Sequence, residues 1–139
     1  GNAIAARSLL RLGYLLGETR YLDAAETTLR AGAQFMQQAP GSHACLANAL
    51  EEQLYPPTLL ILRGSEDDLY AFKTLVDTRY APRLFCFAIP DIEPDLPEGL
   101  AAKKPKEGLV AYVCEGLGCQ PPIQNPAELE SVIISNSIA

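Results

Sequence analysis

Apolar residues fall at helical spacing through the first part of the chain. Ala5, Leu9, Leu12 and Leu16 recur at i, i+4, i+7 and i+11, with Arg7 and Arg11 displaced from that stripe, which is the period of an amphipathic helix. Gly17 suits the left-handed position just past its end, and Glu18 and Thr19 can open the next helix. The second helix carries Leu22, Ala25, Leu29, Ala33 and Met36 on one line, and the short turn predicts that the pair runs antiparallel. Pro40 and Gly41 break it, Ser42 offers an N-cap for a third helix, and Pro56 and Pro57 stop that helix after Leu54, since proline disfavours helix in the residue before it. Residues 1–55 therefore read as a helical segment.

At Pro57 the pattern changes. Thr58, Leu59, Leu60, Ile61 and Leu62 form a continuous run closed by Arg63 and Gly64, as expected of a strand buried on both faces. Ser65 with Glu66, Asp67 and Asp68 reads as a cap with acids in the first turn, opening a helix to about Thr78. Leu84, Phe85, Cys86, Phe87 and Ala88 form a second apolar run, so a right-handed βαβ crossover with parallel strands follows. A proline-rich acidic loop over 90–107 leads to a third strand at 109–113; Asn125 and Pro126 then start a last helix with Leu129, Val132 and Ile133 on its apolar face. The expected fold class is mixed α/β: a helical hairpin plus third helix over 1–55, then a small three-stranded, mostly parallel sheet with flanking helices over 56–139.

Composition narrows the partners. A chain of 139 residues at 48% hydrophobic content can build a real core. Seventeen acidic against eleven basic side chains give a formal charge of -6, which opposes a phosphate backbone, and the one basic cluster, Lys103, Lys104 and Lys106, lies among prolines as a solvated loop. Nucleic acid is excluded as a partner on this reading. No apolar run approaches the ~20 residues that span a bilayer, so no membrane association is expected. Residues 1–6 have the composition of a helix interior, giving the expectation of a segment cut from a longer chain. Four cysteines without a secretory leader fit a reducing, cytoplasmic setting.

Candidate chemistry is sparse. Cys114 and Cys119 form a C-x4-C pair around Gly116 and Gly118, whereas a thioredoxin-type site needs C-x-x-C at a helix N-terminus, where the dipole lowers the thiol pKa. A zinc site would need two further ligands, and Cys45, Cys86 and His43 sit on a helix and a buried strand. Structural thiols come first on this reading, with Cys114 and Cys119 kept as candidate redox or metal residues and as the more reactive thiols; Cys86 is assigned to the core. His43, the only histidine, reads as a surface residue, and the adjacent Glu51 and Glu52 as a solvated face. Gly64 and Ser65 occupy a phosphate-site position, but Glu66, Asp67 and Asp68 would repel an anion there. No catalytic residue, metal site or cofactor is assigned.

Residues 1–12 with 17–22, residues 79–83 and above all residues 111–129, with Cys114, Cys119, Pro121, Pro122 and Pro126, carry a likeness. They resemble the C-terminal region of thioredoxin-domain-containing proteins related to the spermatogenesis-associated protein, found in bacteria and eukaryotes. The resemblance implies a thioredoxin-like domain and an epimerase-like helical barrel, similar to six-hairpin glycosidases, both upstream of Gly1. It makes residues 1–55 the last helices of that barrel and residues 56–139 an appendage. The function expected is that of a non-catalytic C-terminal segment closing or supporting a barrel that acts on a carbohydrate. The alternative is an interaction or redox-linked docking module using the loop of Cys114 and Cys119. The partners implied are the upstream domains of the same chain and, through an exposed helical face, other copies.

Overall fold

The computed structural model describes residues 1–138, and the chain divides into two units, Gly1–Pro56 and Pro57–Ala139. The first holds three helices, α1 (Asn2–Leu16), α2 (Thr19–Gln38) and α3 (Ala44–Leu54), with a short 3-10 turn at Pro40–His43. Gly17 closes α1 at φ 71°, its N–H bonding to the Gly13 carbonyl, a left-handed conformation that glycine adopts without steric cost. The core consists of Ala6, Leu10, Ala25, Leu29, Leu46 and Ala49.

Two local expectations are corrected here. The buried line of α1 is Ala6, Leu10 and Gly13, while Ala5 and Leu12 are exposed. Close approach selects that face: a Cβ on Gly13 would run into the Leu22 side chain. Helices that pack this closely need small residues at the crossing, and the larger Leu12 is left outside. Ser42 does not cap α3. It lies inside the 3-10 turn that Pro40 starts, and His43 occupies the cap position with no side-chain cap bond.

The second unit holds β1 (Thr58–Gly64), α4 (Glu66–Asp77), β2 (Leu84–Pro90), a four-residue α5 (Glu98–Ala101), β3 (Val110–Glu115), β4 (Gly118–Cys119) and α6 (Pro126–Asn136). β1 and β2 are parallel, with Thr58 opposite Leu84 and Gly64 opposite Pro90. β3 runs antiparallel to β1, and β4 antiparallel to β3, in the order β2-β1-β3-β4. The expected three-stranded, mostly parallel sheet is therefore wrong: the sheet is four-stranded and mixed. The reason lies in the β2–β3 link. Its only helix, α5, has four residues, too few for the crossover that a parallel neighbour needs. Val110 enters opposite Arg63, at the end of the sheet where Pro90 leaves it, so β3 returns in the opposite direction.

Leu60, Leu62, Leu69, Val76, Leu84, Ala111, Val113, Leu129 and Ile133 form this unit's core. Both predicted caps are present. The Ser65 hydroxyl accepts from the Asp68 N–H at 3.2 Å, and the Asn125 side-chain oxygen accepts from the Ala127 N–H at 2.9 Å, with Pro126 as first helical residue. Arg63 does more than close β1. It is buried, and its guanidinium donates to the carbonyls of Lys103 (3.0 Å), Ile89 (3.2 Å), Pro90 (3.2 Å) and Asp91 (3.4 Å). A buried guanidinium needs its donors satisfied, and here backbone carbonyls do so, tying the exit of β2 to the end of the α5 segment.

Candidate functional site

The hairpin of β3 and β4 brings together the two cysteines singled out in the sequence. Gly116, at φ 59°, and Leu117 form a two-residue turn between Glu115 and Gly118, which face each other. Glycine at the first turn position supplies the positive φ that such a tight hairpin requires. One step further Cys114 lies opposite Cys119, their Cα atoms 4.0 Å apart, and a disulfide joins them. The Gln120 N–H donates to the Val113 carbonyl at 2.9 Å, and Ala111 and Ile123 exchange two backbone bonds of 2.8 Å further down. The pair is asymmetric: Cys114 is 3% exposed, whereas Cys119 is exposed. The expectation of two open, reactive thiols on a loop is corrected accordingly, because β pairing places both sulfurs within bonding distance.

A cleft of about 450 Å³ opens beside the disulfide, walled by Glu115, Gln120, Thr58, Ser135 and Asn136. The Thr58 hydroxyl donates to the Asn136 side-chain oxygen at 2.9 Å, and Asn136 in turn donates to the Val132 carbonyl at 2.9 Å. Except for Glu115, the polar groups of the wall are neutral, and no lysine, arginine or histidine lines it. Sequence reasoning did not reach Thr58, Ser135 or Asn136, which join the hairpin only through the tertiary fold.

The other candidates lie apart. Cys45 is an exposed free thiol on α3; Cys86 is a half-buried free thiol on β2, and burial foremost, with Asp77 adding to it against Lys73, pushes it up to about 11. His43 is half-buried, its Nδ1 lying 2.9 Å from the Ala39 carbonyl oxygen and its ring stacked on Phe35. Among the described residues no group of three or more His, Cys, Asp or Glu is placed to hold a metal ion. Gly64 and Ser65 serve the cap already described.

Glu52 departs from the solvated-face reading. Arg7 donates to its Oε1 through Nε (3.0 Å) and Nη2 (2.6 Å), while Arg11 donates through Nε to Oε2 (3.0 Å) and through Nη2 to Oε1 (2.6 Å). Burial alone would raise this carboxyl, but the hydrogen bonds and charges of Arg11 and Arg7 outweigh it and hold it below the ordinary range. The signal was the i, i+4 spacing of the two arginines, which puts both on one side of α1.

No helix among the described residues is long and apolar enough to cross a membrane. No family model matches the chain, and no solved structure matches it. Among curated proteins it is similar to spermatogenesis-associated protein 20 of Homo sapiens, 26% identical over 139 residues that cover 95% of this chain and 18% of that protein. The chain thus spans less than a fifth of the length of this relative.

Proposed function

We propose that the chain is a non-catalytic C-terminal segment of a longer protein of the thioredoxin-domain-containing family, and that its helical unit closes an epimerase-like barrel whose ligand is a carbohydrate. One observation carries the reading: helices α1 to α3 leave large apolar side chains in solvent, including Ile4 at 69% and Leu54 at 64% exposure, with Leu12 and Phe35 also exposed. Apolar surface of this kind on a small helical unit is what further helices would cover. The likeness to spermatogenesis-associated protein 20, covering 95% of this chain but 18% of that protein, supports a place within a longer polypeptide.

The test is complementation. The 139-residue chain is co-expressed with the preceding part of the same polypeptide, tagged separately. The two pieces are expected to copurify, and Ile4→Glu with Leu12→Glu to abolish this while leaving the β unit's chemical shifts unchanged. Two pieces that never associate, together with a chain that stays monomeric and binds no hydrophobic dye, would sink the reading.

A further inference from the structure

We propose that the Cys114–Cys119 disulfide is a thiol–disulfide exchange site that takes electrons from a dithiol, and that the incoming thiolate attacks the sulfur of Cys119. This goes beyond the supporting role above and does not depend on it.

Access decides which sulfur is attacked. Cys119 is exposed on β4, the outermost strand of its side of the sheet, while Cys114 is 3% exposed on β3. An exchange reaction needs the nucleophile in line with the breaking bond, and of the two cysteines that line the cleft Cys119 is the residue at the surface. The cleft of about 450 Å³ beside the pair gives a reagent room to approach along the hairpin. No cationic side chain lines the cleft, Glu115 contributes a negative charge, and neither cysteine sits at a helix N-terminus. No neighbouring charge stabilises the Cys114 thiolate as it leaves, so the surface position of Cys119, and not thiolate stabilisation, is what favours exchange at this pair.

The step balances as follows. The dithiol's first thiolate bonds to Cys119 Sγ; the Cys114–Cys119 bond breaks, and Cys114 Sγ leaves with the electron pair and takes a proton from solvent. The reagent's second thiol, losing its proton, attacks its own sulfur in the mixed disulfide, and Cys119 leaves as a thiolate. The protein disulfide is reduced by two electrons and the dithiol is oxidised to its disulfide. The backbone exchange between Ala111 and Ile123 lies outside the reacting loop, so reduction frees the hairpin tip while the segment stays attached to β3.

The probes are dithiothreitol and an aromatic disulfide. Thiols of the denatured, unreduced chain are counted first: two are expected, Cys45 and Cys86, and four would remove the premise. Native protein is then reduced with dithiothreitol, quenched with iodoacetamide and mapped by mass. Reduction first order in dithiol and unchanged by low urea is expected; a rate that climbs with urea as unfolding does would overturn the proposal. Finally, Cys114→Ser, which leaves Cys119, should react with the aromatic disulfide at least about tenfold faster than Cys119→Ser, which leaves Cys114. Equal rates in folded variants would overturn the assignment of Cys119. If either variant fails to fold, partial reduction of the wild type with glutathione gives the same answer, since the trapped adduct must map to Cys119.

Discussion

Replacing Glu52 tests how the helical unit is held. The carboxylate is 15% exposed and takes four donor contacts from guanidiniums that are 37% and 40% exposed. Fully exposed ion pairs contribute about 0.2–1 kcal/mol, and hydrogen bonds to charged groups about 1.5–3 kcal/mol where water is excluded. With the arginines more than a third exposed, solvent screening keeps each within the exposed-pair range, at about 0.5–1 kcal/mol for a carboxylate that is itself mostly covered. Glu52→Ala should therefore cost about 1–2 kcal/mol, and Glu52→Gln, which keeps one acceptor, about 1 kcal/mol. The pH dependence follows from the lowered carboxyl. An unfolded glutamate near 4.5 takes up its proton before the folded one does, so the contribution is fully present above that value and is lost as pH falls through the lower, folded pKa. Wild type and variant should converge in acid. Amide exchange in α1 and α3 reads this unit's stability separately from the sheet's. A cost at neutral pH below the about 0.2 kcal/mol of a single exposed pair, or a difference that persists in strong acid, would refute the reasoning.

Two further outcomes follow. Arg63→Met removes the donor to four carbonyls and should cost about 1–3 kcal/mol for the stranded acceptors; limited proteolysis should then cut residues 91–103 faster than in the wild type, and unchanged cleavage would contradict this role. Cys45, an exposed thiol, should be alkylated well before Cys86, whose pKa of about 11 leaves very little thiolate near neutral pH; mass mapping that finds Cys86 labelled first would count against its burial.

What was legible in the sequence is what local chemistry determines. The apolar runs of β1 and β2, the Ser65 and Asn125 caps and the crossover through α4 needed only neighbouring residues, and the structure places them as expected. The direction of β3 was not legible, because a strand's alternation is the same read either way; only the chain's path decides it, and Arg63 pins that path from inside the fold. β4 spans two residues, Gly118 and Cys119, too short to carry a period. The spacing of Cys114 and Cys119 was visible, but their bonding depended on a hairpin register that Gly116 permits and no composition reveals. On α1, hydrophobicity pointed to Leu12 where the tight crossing at Gly13 chose the neighbouring face.

The order β2-β1-β3-β4 also limits how the sheet can grow. On one side, β4 is two residues long and is followed by Pro121 and Pro122, which have no N–H to offer. On the other, β2 presents a seven-residue outer margin. The two margins are thus unequal in length and in composition. The β4 side therefore gives an incoming strand almost no backbone to pair with, which is one way a sheet is protected from edge-to-edge growth.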